Sequence, residues 1–146
     1  MNQTLPIKPI AFVKNNLEEI KGDLWKKTVS KIVLTAEFTP ESLEGIEDFS
    51  HLQIVFYFHK SKTTVTGKTY PRRNTDIPKV GIFAMRKPDR PNHIGITIVK
   101  LVKTHGNTIE ILGLDAINET PILDIKPVVN RIVPQEKITQ PDWIDL

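Results

Sequence analysis

The stretch that decides the fold is residues 94–112, IGITIVKLVKTHGNTIEIL, in which two β-type runs flank a turn. Residues 94–103 and 107–112 are rich in the β-branched side chains that favour strands. Between them lies His105-Gly106-Asn107, and glycine and asparagine accept the positive φ that a hairpin turn requires. The sequence therefore predicts a β-hairpin here, with the other strands arranged around it.

Strand signals dominate the rest of the chain, and helix signals are few. Residues 51–59 contain the apolar run 54–58 (IVFYF), which predicts a strand buried on both faces. A proline that follows Thr39 predicts one or two helical turns over residues 39–49, and residues 15–24 form a second, weaker helix candidate. The other strands are predicted at residues 7–13, 28–36, 79–85 and 122–125. Seven short strands and one or two short helices predict a mainly β protein, a small closed or nearly closed β-barrel.

Length and composition indicate one globular domain. The chain has 146 residues, of which 39% are hydrophobic and 25% charged, as in ordinary soluble domains. The longest apolar run is far shorter than the ~20 residues of a membrane helix. The first residues lack the basic and apolar regions of a secretion signal. We therefore expect a single domain over residues 1–146, cytoplasmic and with no membrane contact.

Several classes of chemistry find no support in the sequence. There is no cysteine, which excludes disulfides and thiolate sites. The seven glycines form neither G-x-G-x-x-G nor a P-loop, which disfavours a phosphate on a glycine-rich helix start. The four histidines have no metal-ligand spacing, so we expect no metal site.

The arginines are clustered although the overall charge is small. The formal net charge is +3, a value common among enzymes that bind no nucleic acid. Four of the five arginines lie between residues 72 and 90. The planar guanidinium group suits bidentate recognition of carboxylate or phosphate, so the cluster predicts an anion site. The alternative is a solvated basic loop.

Two segments carry the polar residues best placed for chemistry. In residues 81–95 (GIFAMRKPDRPNHIG), two prolines restrict a loop that carries Arg90 and Asn92. In residues 113–127 (GLDAINETPILDIKP), charged groups stand among apolar neighbours. Asp124 and Lys126 have the same parity and therefore point to one face of a strand. The alternative is that these two side chains merely pair with each other.

The motifs R-x-x-x-R-P-N-x-I-G and L-D-x-x-x-x-T-P-x-L-D-I-K-P in these segments resemble the TsaA-like family, the TrmO-type methyltransferases. Ser50-His51-Leu52 and Tyr70-Pro71-Arg72 also match the family's pattern. The resemblance covers residues 7–134 and leaves residues 135–146 as a C-terminal tail.

The resemblance implies a barrel that dimerises and binds S-adenosyl-L-methionine near the subunit interface. It also implies transfer of the methyl group to N6 of threonylcarbamoyladenosine at position 37 of tRNA. The implied cofactor-binding positions are Arg72, Arg86, Arg90, Pro91, Asn92, Ile94, Gly95 and Thr120. The implied catalytic positions are Asp124, Lys126 and Asp115. Three alternatives remain: the same cofactor with a small-molecule acceptor, a barrel that binds cofactor or RNA without catalysis, or a dimeric barrel that serves as an interaction scaffold and binds no cofactor.

The chemistry of these residue types agrees with such a site. An arginine can hold a carboxylate, and an aspartate can hold hydroxyls or an amine or accept a proton. A lysine at position 126 would offset negative charge that develops on a carbamoyl oxygen.

The chain departs from the family's usual residues at Met85, Lys87, His93, Glu119 and Val128. Glu119 stands where the family has glycine, a residue that accepts positive φ. His93 stands where the family has proline, so we expect a looser loop.

Overall fold

Residues 3–146 are described by the computed structural model of the protein, and they contain eight β-strands. These are β1 (Ala11–Lys14), β2 (Val29–Leu34), β3 (His51–Tyr57), β4 (Lys68–Thr69), β5 (Val80–Gly81), β6 (Ile94–His105), β7 (Thr108–Leu112) and β8 (Pro121–Pro127). Six of them form a closed antiparallel barrel in the order β1-β2-β7-β6-β3-β8, and β8 pairs with β1 to close it. Strands β4 and β5 form a separate two-stranded sheet. The predicted β-barrel and its central hairpin, β6–β7, are therefore confirmed.

The helical segments of residues 3–146 are all short 3₁₀ turns. They are Leu24–Lys27, Pro40–Leu43, Ile46–Asp48, Pro71–Arg73, Ile82–Ala84, Pro91–His93, Asn130–Ile132 and Asp142–Asp145. The turns predicted over residues 39–49 are present, and Pro40 opens the first of them. The helix predicted over residues 15–24 is wrong. Instead, the side-chain amide of Asn15 donates to Ser30 Oγ and to the Ala116 carbonyl, both at 2.9 Å. These bonds hold the start of the segment against the barrel.

Burial along β3 follows the alternation of a barrel strand. Leu52, Ile54 and Phe56 are buried, whereas Val55 is half-buried and Tyr57 is 37% exposed. The prediction of a strand buried on both faces is wrong, because only the inward side of a barrel wall packs against the core. The core contains the inward strand residues Ala11, Val13, Ile32, Leu34, Leu52, Ile54, Phe56, Val99, Ile109, Ile111 and Ile122, joined by Leu43, Leu114 and Ala116 from the connecting segments.

The strand predicted over residues 79–85 is largely wrong. Only Val80–Gly81 pairs, opposite Lys68 and Thr69, and a 3₁₀ turn follows at once. That turn buries Ile82 and is followed by the buried Met85. Burial of these two side chains at a spacing of three residues suits a tight turn better than a strand, whose period is two.

No helix within residues 3–146 has the length and hydrophobicity required to span a membrane.

Gly95 is where β6 passes closest to the aromatic residues of β3. A Cβ atom at this position would lie 2.6 Å from Phe56 Cζ and 2.8 Å from Phe58 Cζ. Gly95→Ala should therefore lower the free energy of unfolding by about 1–3 kcal/mol through overpacking, as measured by urea denaturation. Gly81→Ala is the control, since nothing lies within 4 Å of a Cβ there. Equal stability of the two variants would contradict this packing.

Candidate functional site

Two adjoining cavities beside β3 and β6 bring several predicted site residues together. The first has a volume of about 410 Å³ and includes Arg86, Arg90 and Asp115 in its lining. The second has a volume of about 570 Å³ and includes Arg86, Asp115 and Thr120. Both cavities are lined by Phe56, Phe58, Arg86 and Asp115, and together we call them the Arg86 cleft. Ile94 and Gly95 also line the first cavity.

The two arginines of the cleft are each anchored by one hydrogen bond to the backbone. Arg86 Nη2 donates to the Ile96 carbonyl at 3.1 Å, and Arg90 Nη1 donates to the Met85 carbonyl at 2.7 Å. A guanidinium group has five N–H donors, so most remain available to a ligand. The anchors fix the direction of both side chains, which suits them to hold a carboxylate in one geometry.

Asp115 supplies the carboxylate that lines both cavities of the cleft, whereas Glu18, Glu19 and Asp89 line only the second. It is half-buried, and the Thr97 hydroxyl donates to its Oδ1. The register of β3 and β6 pairs Phe56 with Gly95 and Ile54 with Thr97, so Thr97 lies on the same inward side as Gly95. The carboxylate is therefore oriented from the wall of the barrel, and its other oxygen is free to accept a hydrogen bond from a ligand hydroxyl or amine.

Thr120 lies in the cleft wall in a structural role. Its side chain is buried, and its hydroxyl donates to the Ile117 carbonyl at 2.7 Å. The preceding residue, Glu119, has a φ of 64°, which confirms the unusual backbone angle expected there. The Glu119 side chain pairs with Lys14.

The loop over residues 86–93 is tied to the segment before β4 through Asp89. Its carboxylate accepts a hydrogen bond from Ser61 Oγ at 3.2 Å, and its carbonyl accepts one from the Val65 amide at 2.8 Å. Lys87 Nζ lies 3.3 Å from the same carboxylate. Burial alone would raise the pKa of Asp89. Hydrogen bonds from Thr63, Lys87 and Ser61, with the charge of Lys87, outweigh burial and hold the pKa below its ordinary value.

His93 fixes the other end of this loop. Its Nδ1 lies 3.0 Å from the Pro88 carbonyl oxygen, and its Nε2 lies 3.2 Å from Thr64 Oγ1. Its ring also stands edge-to-face on Tyr57, with the ring centroids 6.2 Å apart. The expectation that His93 loosens the loop is wrong. Its φ is 50°, an angle that proline cannot adopt, and both ring nitrogens are engaged.

Three of the predicted cofactor-binding residues lie outside the cleft lining. Pro91 opens a 3₁₀ turn, and Asn92, with a φ of 65°, is exposed beside it. Asn92 lines a separate cavity of about 770 Å³ with Tyr57, His59 and the segment over residues 3–9. Within the described part of the chain, neither arginine, lysine nor a carboxylate lines that cavity. Arg72 donates instead to the backbone carbonyls of Ile144 and Leu146.

Asp124 and Lys126 lie on the outer face of the barrel and not in the cleft. The register places them beside Val55 and Gln53 of β3. Lys126 Nζ lies 2.6 Å from Asp124 Oδ2, and the two side chains are 62% and 44% exposed. The shared face predicted for this pair is confirmed, and so is the pairing that stood as the alternative.

The site residues predicted from the sequence did not include the aromatic residues of the cleft or Met85. Phe56 and Phe58 pack edge-to-face at 5.1 Å, and Phe83, which is 81% exposed, lines the same cavity as Met85. A single phenylalanine such as Phe83 gives no signal of a ligand site in the sequence alone, because its exposure depends on the tertiary structure.

His59 lines the cleft as well, and burial beside Lys60 lowers its pKa although Glu119 opposes this. Its surroundings therefore favour the neutral imidazole.

Residues 3–146 contain no group of three or more histidine, aspartate or glutamate side chains that is placed to hold a metal ion.

The sequence is similar to a family of tRNA methyltransferases and S-adenosyl-L-methionine-binding proteins. The sequence model of the tRNA-methyltransferase O N-terminal domain matches residues 11–132. The human tRNA (adenine(37)-N6)-methyltransferase is 42% identical over 101 residues, which are 68% of this chain and 23% of that protein. A probable S-adenosyl-L-methionine-binding protein of Pyrococcus abyssi is 36% identical over 136 residues, 90% of this chain and 72% of that protein.

The same similarity holds in three dimensions. The crystal structure of TrmO from Pseudomonas aeruginosa superposes with a TM-score of 0.75 at 28% identity. The match covers 92% of this chain and 61% of that one. The chain thus spans less than a quarter of the human relative and about three fifths of the solved structure.

The Asp89 contacts should make loop stability depend on pH. Because the folded pKa lies below the unfolded value near 3.8, this stabilisation is present above pH 4 and lost as pH falls through the folded pKa. Asp89→Asn should lower the free energy of unfolding by about 1 kcal/mol at neutral pH and by nothing in strong acid, as measured by urea denaturation. Asp76→Asn removes the same charge from an exposed turn and should change little at any pH. A deficit that persists in strong acid would contradict the assignment.

Proposed function

The chain belongs to the family of the tRNA-methyltransferase O N-terminal domain, and on that premise we propose that it is an S-adenosyl-L-methionine-dependent tRNA methyltransferase. Its acceptor in this proposal is N6 of adenosine 37 in its threonylcarbamoyl form. The observation that carries the proposal is the Arg86 cleft, in which Arg86, Arg90 and Asp115 surround an aromatic floor. Such an enzyme would act in the cytoplasm, which we propose as its location.

The residues of the cleft fit the chemical groups of S-adenosyl-L-methionine. Its carboxylate suits the free N–H groups of Arg86 and Arg90, and its ribose hydroxyls or amine suit Asp115. Its adenine suits the ring faces of Phe56 and Phe58. Each cavity has a volume within the usual range of about 300–1,000 Å³ for small-molecule sites.

When bound, the cofactor supplies an electrophilic methyl group on a sulfonium. The transfer is an in-line displacement, so the protein acts mainly by orienting donor and acceptor and by excluding water. In this proposal Arg86 and Arg90 orient the donor, and the loop held by Asp89 and His93 covers it. Asp115 is the carboxylate of the cleft best placed to receive the N6 proton.

We also propose a homodimer that forms through the outer face of β3 and β6. Four apolar side chains lie together there because the register pairs Val55 with Ile96 and Tyr57 with Ile94. Ile96 and Ile98 are 43% and 51% exposed. Contiguous exposed apolar surface of this kind is typical of a protein interface.

Asp124 and Lys126 border this outer face, and Ile96 also lines the Arg86 cleft. A second copy on this face would bring Asp124 and Lys126 to the interface beside the cleft. We therefore propose that Asp124 and Lys126 act in catalysis only in the assembled dimer, and that Arg72 is a further cofactor contact there.

Cofactor binding and methyl transfer are the direct tests of the proposed function. The protein should transfer a labelled methyl group from S-adenosyl-L-methionine to tRNA that carries threonylcarbamoyladenosine. Arg86→Ala should weaken cofactor binding at least about tenfold in calorimetry, because it removes a bidentate carboxylate contact. Arg131→Ala, an exposed arginine outside the cleft, is the control.

Normal binding by Arg86→Ala would remove this residue from the cofactor site. Cofactor binding without methylation of tRNA would favour a small-molecule acceptor. If the folded protein does not bind S-adenosyl-L-methionine, the proposed methyltransferase activity is refuted and the barrel has another role.

The dimer is tested by light scattering. The protein should have twice the mass of the chain, and Ile98→Glu should give a monomer because it places a charge in the apolar interface. Val29→Glu is a matched control, since Val29 is 50% exposed on β2, which β7 separates from β6. A monomeric unmodified protein, or a dimer that survives Ile98→Glu, would contradict the proposed interface.

A further inference from the structure

Positive charge is concentrated in one segment, residues 60–81, which we call the arm. The arm has six basic residues and one acidic residue, so its net charge is +5. The remaining 124 residues have 14 basic and 16 acidic residues, a net charge of −2. The small total of +3 therefore conceals a basic arm on a slightly acidic body.

The charges of the arm are exposed and not neutralised by ion pairs. The six basic residues are Lys60, Lys62, Lys68, Arg72, Arg73 and Lys79, and all are exposed. None of them forms a salt bridge within residues 3–146. Seven lysines elsewhere do: Lys8, Lys14, Lys21, Lys26, Lys87, Lys103 and Lys126. Arg72 donates hydrogen bonds to oxygen atoms of Ile144 and Leu146, so the other five basic residues are the unpaired cations of the arm in the described part of the chain.

The arm is an ordered element in its own right. β4 and β5 pair within it, and the Ile82 amide donates to the Gly67 carbonyl at 2.9 Å at its base. Pro71 and Ile77 are buried and anchor the turns between the two strands. Because the backbone of the arm is already ordered, ligand binding costs little backbone entropy. Lys79 Nζ lies 5.1 Å from the ring centroid of Tyr70, a cation–π contact that restrains this side chain.

The base of the arm is attached to the Arg86 cleft. Ser61 and Val65 bind Asp89, and Thr64 contacts His93, so two ends of the cleft loop are joined to it. Lys60 itself lines the cleft. A polyanion held along the arm would therefore lie next to the cavity in which the methyl group is proposed to be transferred.

We propose that the arm binds the phosphates of the RNA substrate and directs its modified nucleotide toward the Arg86 cleft. The choice of RNA rests on the proposed function, whereas the basic character of the arm does not. Several unpaired cations along one element suit a chain of regularly spaced phosphates, whose binding releases condensed counterions. An acidic protein segment is the competing partner, and it is distinguished in the test.

Two charge-matched variants test the arm. The arm variant replaces Lys62, Lys68, Arg73 and Lys79 with glutamine and spares Lys60 and Arg72, which belong to the proposed cofactor site. The control variant replaces Lys27, Lys31, Arg131 and Lys137, which are likewise exposed and form no salt bridge in the described part of the chain. Each variant loses three lysines and one arginine, so the two differ only in where the charge is removed.

Binding of fluorescein-labelled tRNA is measured by anisotropy at several salt concentrations, and binding of S-adenosyl-L-methionine by calorimetry. The arm variant should bind tRNA at least about tenfold more weakly near ~0.1 M salt. The slope of log Kd against log salt should become less steep by about 3, since each lost phosphate contact contributes about 0.7–0.9. The control should bind tRNA as the unmodified protein does, and both variants should unfold normally and keep their cofactor affinity.

Equal losses in the two variants would mean that only net charge matters, and no loss in the arm variant would mean that the arm does not bind RNA. Preference of the arm for polyglutamate over tRNA would indicate an acidic protein partner. Each of these results overturns the proposal. If tRNA binding depends on the arm but no methyl group is transferred, the arm is supported as an RNA-binding element and the proposed methyltransferase function is refuted. If the arm variant methylates tRNA at the normal rate, the methyltransferase function is supported and RNA binding by the arm is refuted.

Discussion

Closure of the six-stranded barrel through the pairing of β8 with β1 is the constraint on which the rest of the structure depends. A small closed barrel fills its interior with the inward side chains of every strand. Ile32, Ile54 and Ile109 have no solvent exposure at all, so the lumen has no room for a ligand. Polar side chains are therefore restricted to the rim, the loops and the outer face, which is where the Arg86 cleft, the arm and the apolar patch of β3 and β6 lie.

The loop over residues 86–93 lies over the rim of the barrel and forms one side of the cleft, and contacts of Asp89 and His93 fix this loop. Asp89 links the loop to the base of the arm, and His93 is bound at both ring nitrogens. The backbone angles of Asn92 and His93 are positive, a conformation that costs free energy and persists only where surrounding contacts enforce it. This loop connects Arg86 and Arg90 to the start of β6, and both arginines line the cleft together with Asp115.

The sequence was sufficient for the barrel because strands, parity and turn residues are local signals. The β6–β7 hairpin follows from its β-branched runs and its Gly-Asn turn, with no knowledge of tertiary contacts. The segment over residues 79–85 was mispredicted because apolar composition does not separate a strand from tight turns anchored by Ile82 and Met85. The helix expected over residues 15–24 does not form, and the Asn15 side chain makes tertiary hydrogen bonds to Ser30 and Ala116 there.

The candidate site was predictable in part. Arg86, Arg90 and Asp115 were named from motifs and do meet in one cleft. Parity placed Asp124 and Lys126 on one face, but it does not say whether that face is inward or outward, and here it is outward. The aromatic floor of the cleft and the unpaired charges of the arm depend on tertiary neighbours. Residue spacing along the sequence does not reveal these neighbours.

A crystal structure with S-adenosylhomocysteine would show whether the Arg86 cleft holds the methyl donor. We expect the ligand carboxylate to contact the guanidinium groups of Arg86 and Arg90, with the ligand adjoining Asp115 and the phenylalanine floor. A ligand found instead in the cavity beside residues 3–9, or bound with its carboxylate away from both arginines, would refute the proposed cofactor site.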